Sequence, residues 1–540
     1  EGEGGFVLVP AVSTIIILYR SDLRDKAMDK LSTVFGDGAA QPFLLLCLIP
    51  IFSVLWLRKK KTEKPWQTVE NPNFLTGHLH LFTPKTMGDR FKEWAEEYAG
   101  DIGCFEFYMM KSPQLVVCSE ERLMELIPHR PDNTHRNHRI REAVNSLGAT
   151  GLFTAEGQEW KREHKLVAAA LNKNNVQDYM STMKRMTERL LEKWSADSEE
   201  GVVQIYADLN NLSADSIANV SMGRDFRFLR TSDDDAPSTT GILDIGKAFD
   251  GLGVRALSPI RYWRIPFVGQ YLDAYGAPAK RINRFITGVV EDHESSNGAG
   301  SKNTFLEKLF LVMKSEKATL NRGRVVGNVT TLFAAGTDTT SKALTTAMYL
   351  LAEDSKLQHE LREEACFVDL NGIALKDMYR RLPRLKSFLH EVHRVYGPPL
   401  IGLKTRRDDI KFAGTTLPRG TNIFVLLNYI SNHKSNHVPI GPSGKEPDQF
   451  CPYRFLQYSA NGDLSCSDPN NKSGAFLGFG FGARKCPGRT YSEVLSYLVL
   501  VSVLKTFEWK LAPDHPEVKF HNDVVICPAC EIQLTMTKLK

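Results

Sequence analysis

The chain has 540 residues, 42% of them hydrophobic, enough for one large core or two ordinary ones. A net charge of +5 is too weakly basic to point to nucleic acid, and none is expected as a partner. Nine cysteines, an odd number at low density, exclude a disulfide framework and suit a reducing compartment.

The first 38 residues form an extension of open role. Its apolar run Phe6–Tyr19 is only fourteen residues long, and Glu1 and Glu3 stand where a signal peptide wants cations. It fits a signal-type segment, a second short span or a membrane-surface piece equally. Ala39–Leu57 then reads AAQPFLLLCLIPIFSVLWL and is followed at once by Arg58, Lys59, Lys60 and Lys61. As a helix those nineteen residues span roughly 28 Å, close to the hydrocarbon thickness. Residues 39–61 are therefore expected to be a transmembrane anchor with a basic stop, which holds the rest of the chain in the cytosol. Pro42 and Pro50 weaken the helix without forbidding a span. Residues 62–84 read as a hinge and 85–540 as one catalytic domain.

After the hinge, Cys104–Tyr108 and Gln114–Cys118 flank Lys111-Ser112-Pro113 as a hairpin. Most of the next 270 residues carry helical periodicity, as in Val176–Ala196 and Phe305–Val312. Polar breaks at Thr231–Thr240 and Ser295–Thr304 read as loops, and extended pieces return at Ile410–Phe412 and Thr421–Leu427. The fold class is mainly α with a small β-sheet region.

Three stretches bear on chemistry. FAAGTDTT, Phe333–Thr340, lies inside a helical pattern from Arg324 to Ala352, although glycine and threonine are poor helix formers. It is either a weak solvated turn or a kink where a carboxylate and a hydroxyl hold water for proton delivery. The helix Leu385–Gly397 is bounded by Pro383 and Pro398. It places Glu391 and Arg394 off its apolar stripe, as an ordinary exposed i,i+3 pair would be. LGFGFGARKCPG, Leu477–Gly488, fits a loose dinucleotide fingerprint. But Pro487 and Gly488 interrupt the helix start, and too little chain follows for a doubly wound sheet. The alternative is a metal-ligating thiolate: cations Arg484 and Lys485 beside Cys486 would lower its pKa, and flanking glycines would let the backbone approach a flat cofactor. An unreactive surface thiol is the plain alternative. The later Cys527-Pro-Ala-Cys530 lacks a second pair at zinc-ribbon spacing and reads as incidental.

Phe479, Gly482, Arg484, Cys486 and Gly488 fill the pattern F-x-x-G-x-R-x-C-x-G, and here the chain resembles the cytochrome P-450 family. Ala335-Gly336-Thr337-Asp338-Thr339-Thr340 is similar to that family's oxygen-activation motif. Glu391-x-x-Arg394 and Pro452-Tyr453-Arg454-Phe455 resemble its E-x-x-R and P-x-R-F. The resemblance runs from about residue 65 to the end and implies a cytochrome P-450-like fold preceded by the anchor. It implies haem b with Cys486 as axial ligand of the iron, Arg484 at a propionate, and Phe479 beside the thiolate, with Gly482 and Gly488 completing the loop. It implies that Asp338 and Thr339 assist protonation during oxygen activation, that Ala335 lies over the haem, and that Glu391, Arg394 and Arg454 form a buried structural triad. Trp160 fits a propionate-facing W-x-x-x-R whose arginine position holds His164, and Lys404 stands where an arginine often meets a propionate.

The implied function is a haem-thiolate monooxygenase on the endoplasmic reticulum membrane. It inserts one oxygen atom from O2 into a hydrophobic small molecule with electrons from NADPH. No flavin or nicotinamide domain fits in the chain, so the implied electron source is a separate NADPH-cytochrome reductase, with cytochrome b5 as a further donor. Lys161, Arg162 and Lys485 are candidates to dock an acidic reductase face, or merely to solvate the surface. A haem-thiolate isomerase or dehydratase acting on a hydroperoxide is the alternative, which the Asp338-Thr339 pair disfavours; a non-catalytic haem sensor or carrier is a third class. Candidate pocket segments are Ile140–Phe153, Phe333–Thr339, Pro398–Leu403 and Val524–Pro528.

Overall fold

The computed structural model describes residues 64–540 other than 231–250, 252–253, 257, 259–260, 266, 268–273, 297–302, 435–443 and 470–475. Phe6–Tyr19, the expected anchor Ala39–Leu57 with its basic block, and the loop Thr231–Thr240 lie outside the described residues, as does most of Ser295–Thr304. Among the described residues, no helix is long and apolar enough to cross a membrane. The chain divides into two compact units, Glu1–Pro65 and Trp66–Lys540, and the described residues lie almost wholly in the second.

Alternating apolar residues build a six-stranded sheet. Its strands are β1 (Gln67–Thr68), β2 (Cys104–Met109), β3 (Ser112–Val117), β4 (Thr134–Arg136), β5 (Ile401–Thr405) and β6 (Asn422–Val425), in the spatial order β1-β2-β3-β6-β5-β4. β2 and β3 form the expected hairpin, with Cys104 opposite Val117 and Phe107 opposite Gln114. β3 pairs with β6 in parallel, and β5 runs antiparallel to both β6 and β4. The segment read as a hinge is not one beyond Pro65. β1 pairs in parallel with β2, and Trp66 and Val69 are buried, so this stretch is part of the folded unit. The extended run expected at Thr421–Leu427 is shorter, because Leu427 opens a helix, Leu427–Asn432.

Six helices position the site: α1 (Gly157–Ala170), α2 (Lys173–Glu200), α3 (Ile205–Met222), α4 (Arg322–Glu353), α5 (Pro383–Val395) and α6 (Arg489–Thr506). α4 packs along α3 more extensively than any other pair of elements, and α6 packs on α2. The glycine inside α4 has a packing reason. A Cβ on Gly336 would stand 2.8 Å from Ile217, so the bare backbone permits the close approach of α3. α6 is apolar on nearly all sides and is buried on nearly all sides, from Val494 to Leu504. Each such Leu or Val contributes about 1.5–3 kcal/mol by leaving water. Glu163 of α1 has no exposed surface. It accepts hydrogen bonds from Arg324 Nε and, at 3.2 Å, from Asn328 Nδ2, which ties α1 to the start of α4. Two further antiparallel pairings close the C-terminal side: Phe507–Leu511 with Gln533–Lys538, and Phe520–Asn522 with Ile526–Pro528.

Candidate active site

The loop before α6 is shaped by two glycines in the left-handed region, Gly480 at φ +77° and Gly482 at φ +62°, where a side chain would strain the backbone. It is closed by Cys486 N–H donating to Phe479 O at 2.8 Å. Gly488 caps the start of α6, and the backbone N–H groups of Gly488 and Arg489 favour a thiolate at the Cys486 sulfur. A Cβ on Gly488 would sit 3.8 Å from that sulfur. Protein atoms crowd the sulfur, yet the residue keeps accessible surface. The expectation of a lowered thiol pKa is corrected. Burial dominates and raises it, while the two N–H bonds, Arg489 and Arg136 pull the other way. The neighbours in sequence act elsewhere: Lys485 is exposed, and Arg484 turns away to Glu156 and the Ala155 carbonyl. Phe479 packs on the ring of His393, with centroids 4.6 Å apart, and carries the Arg489 guanidinium over its face.

Arg484 belongs to a cluster of cations that sequence reasoning found only in part. Its guanidinium stands 5.0 Å over the ring of Trp160, which stacks on His164 at 4.7 Å. Arg130 lies over Phe481 and Arg136 over Phe153. Burial and mutual repulsion push Arg130 down to about 10 and Arg136 to about 9. Burial, then Arg484, also lowers the pKa of His164, which leaves its imidazole neutral near pH 7. Glu156 is the carboxylate at this cluster: it pairs with the Arg484 guanidinium at 3.2 Å and accepts the Arg136 backbone N–H at 2.8 Å. Arg130 Nε and Nη2, Arg136 Nε and Arg484 Nε are buried without a hydrogen-bond partner among the described residues. Buried donors and an excess of positive charge are costly unless an anion meets them. A haem with its two propionates is a group of that charge, and the thiol with its N–H donors suits its iron, so the residues present fit it. Arg130 and Arg136 escaped notice because they sit in no motif; the run of cations between His129 and Arg141 was the available signal.

FAAGTDTT lies within α4, which runs unbroken from Arg322 to Glu353. Thr337 and Thr339 donate back to the carbonyls of Phe333 and Ala335 at 2.8 and 2.7 Å. These bonds satisfy the hydroxyls inside the helix. Ala335 is exposed, with Phe333 and Thr337 buried two residues to either side of it in α4. Thr340 Oγ1 meets Ser492 Oγ at 3.2 Å and joins this face of α4 to the first turn of α6, just beyond Cys486. Asp338 is held 2.7 Å from Lys342, whose ammonium also lies 2.7 Å from Asp523. That lysine is buried between two carboxylates, a feature no sequence motif announced.

Glu391, Arg394 and Arg454 come together with no side-chain exposure. Arg394 donates Nε and Nη2 to the two Glu391 oxygens at 2.7 Å each, and Arg454 Nε donates to Oε1 at 3.1 Å. Their remaining N–H groups take the carbonyls of Ser431, Lys445, Glu446, Pro447 and Gln449. The exposed pair that helix periodicity alone predicts is thus replaced by a buried one, because loop carbonyls from 431 to 449 close over that face of α5. Lys404 stands apart from the arginine cluster, in the wall of a second cavity with His138. Ile140, Leu400 and Val524 from the expected pocket segments line the same cavity. Of the candidate docking cations, Arg162 and Lys485 are exposed, whereas Lys161 is paired with Asp132 at 2.9 Å.

A family model described as Cytochrome P450 matches residues 68–536. A cytokinin hydroxylase of Arabidopsis thaliana is 21% identical over 508 residues, covering 89% of this chain and 93% of that protein. A mitochondrial sterol 26-hydroxylase of Homo sapiens is 28% identical over 273 residues, covering 50% of this chain and 49% of that protein.

Proposed function

This chain belongs to the cytochrome P450 family and is a monooxygenase of that family, and from that premise we propose how its own residues divide the work. The observation that carries the reading is the thiol seated just before α6, within electrostatic reach of a cluster of three arginines whose buried N–H groups lack partners among the described residues. Cys486 is the iron ligand, and Arg484, Arg136 and Arg130 meet the propionates, with Trp160 packed beneath Arg484. When bound, the haem supplies dioxygen activation and transfer of one oxygen atom. The protein orients an apolar substrate against the Ala335 face of α4, excludes bulk water, and moves protons through Asp338 and Thr339. Lys342 holds Asp338 and Asp523 in ion pairs at 2.7 Å each, so proton delivery through Asp338 requires its pair to loosen. Electrons come from NADPH through a separate reductase that docks near Arg162 and Lys485. The segment Ala39–Leu57 anchors the enzyme in the endoplasmic reticulum membrane with the domain in the cytosol. Protease added to sealed microsomes should digest that domain, and a protected domain would reverse the topology.

Thr339→Ala tests the relay. Alanine suits a helix better than threonine, so folding and haem uptake should survive. Loss of a positioned hydroxyl should lower product formation about 10²-fold while NADPH is still consumed and hydrogen peroxide rises. Unchanged product per NADPH would remove Thr339 from the mechanism. Wild-type turnover of a hydroperoxide without NADPH or reductase would put an isomerase in place of the monooxygenase.

A further inference from the structure

The second cavity, of about 730 Å³, opens between the six-stranded sheet, the helix His138–Ser146 and the Phe520–Pro528 hairpin. Its wall is largely apolar, with Leu79, Met87, Met109, Ile140, Leu400 and Phe424. Set into that wall are three cations, Lys85, Arg139 and Lys404. Asp523 is the one carboxylate among the lining residues, and it is already engaged by Lys342 at 2.7 Å. Arg139 donates to the Ser258 carbonyl at 2.9 Å, and Lys85 and Lys404 make no hydrogen bond or ion pair with a described residue. With Lys85 exposed and Lys404 half-buried, the cavity wall carries positive charge that no described carboxylate neutralises. His138 in the same wall registers that field. Burial first, then Lys404, Arg139 and Arg261, push its pKa down against Glu142.

An ammonium that loses water to an apolar ligand is costly unless the ligand brings an anion to it. The same wall leads inward: Asp523 joins Lys342, and Lys342 joins Asp338 on α4. From the monooxygenase reading and this lining, we infer that the cavity admits an amphipathic substrate bearing a carboxylate. Its anionic end is held by Lys85 and Lys404, and its apolar body extends along the methionine and leucine wall toward α4.

The test uses the full-length, haem-loaded protein in nonionic detergent near neutral pH. Dodecanoic acid and a fused-ring carboxylic acid are each titrated against their methyl esters, with the substrate-induced Soret shift as readout. The acids should bind about ten-fold tighter than the esters or more. Lys85→Met/Lys404→Met should bring acid and ester within about two-fold of each other and leave ester affinity unchanged. If the double variant takes up less haem, Lys85→Met alone, at a residue assigned no cofactor contact, should still cut the preference about three-fold. Equal binding of acid and ester by wild type, failure of both acids to bind, or a preference that survives Lys85→Met would overturn the inference. So would an acid preference that vanishes in vesicles containing phosphatidylserine while the lysine variants lose vesicle binding; the cations would then meet a lipid headgroup. The reduced carbon monoxide spectrum is recorded in parallel. Its red-shifted band in the wild type marks the haem-thiolate reading as standing whichever way the acids behave, and its absence there marks that reading as the one that failed.

Discussion

Cys486→Ser is expected to abolish the red-shifted Soret band of the reduced carbon monoxide complex and with it all product formation. Serine is close in size and leaves the backbone bond from Cys486 N–H to the Phe479 carbonyl in place, so the loop should hold its shape. What it lacks is a soft, electron-rich sulfur, the ligand property on which haem-thiolate chemistry depends. The loss should be complete, unlike a change in substrate affinity, because no other thiol shares this setting. Cys451 and Cys527 are buried and Cys466 is half-buried, whereas Cys486 keeps accessible surface. Arg136→Met is the contrasting control. It removes one of three crowded cations, so haem retention should fall about ten-fold while the spectrum of the haem that remains is unchanged. If Cys486→Ser keeps the red-shifted band, and Cys466 or Cys527 must be changed to lose it, the ligand assignment is wrong.

The residues of the cysteine loop were legible because their chemistry is local: glycines for left-handed turns, a cysteine at a helix start, an apolar run behind it. The buried helices were legible for the same reason, through period and punctuation. α2 extends only a few residues beyond its expected limits, since helix ends are set by caps such as Asn172 that periodicity does not see. What sequence could not show is what faces what across long separations. Sequence alone places Arg484 and Lys485 beside the Cys486 thiol, but Arg484 turns to Glu156, Lys485 is exposed, and desolvation raises the thiol's pKa. Arg136 and Arg130 become part of the site only because β4 and the turn before it fold against Glu156. The stretch after Pro65 reads as a hinge from its composition, yet two residues pairing with β2 make it part of the sheet. Lys342 is an unremarkable lysine in sequence, and Asp523, 181 positions away, makes it a bridge to Asp338.

Glu391→Gln should leave little folded, haem-loaded protein, and the reason is a geometry that helix periodicity concealed. The Glu391 carboxylate accepts four hydrogen bonds: two from Arg394, one from Arg454 and one from the Cys451 N–H at 2.8 Å. An amide can accept at only one of its two ends, and it brings no charge to two wholly buried guanidiniums. Removing one partner of a buried ion pair costs about 3–5 kcal/mol. That is a large part of the roughly 5–15 kcal/mol by which a domain is stable. Glu363→Gln, at an exposed pair with His359, removes the same charge in water and should change stability by less than about 0.5 kcal/mol. Thermal midpoints and haem-to-protein absorbance ratios of the two variants give the comparison. A Glu391→Gln protein as stable and as haem-rich as Glu363→Gln would show that the triad is dispensable. Any Glu391→Gln protein that does fold should keep the wild-type reduced carbon monoxide band, because the triad acts at a distance from the thiol. Arg394 fixes the end of α5, and the next residue back, His393, lays its ring on Phe479. The Phe479 carbonyl then receives the Cys486 N–H. A Cβ on Gly478 would stand 2.6 Å from the His393 carbonyl, so the loop is seated directly on that helix end. The buried charges of α5 thus hold the platform on which the cysteine loop rests, and losing them should empty the site before it alters the ligand.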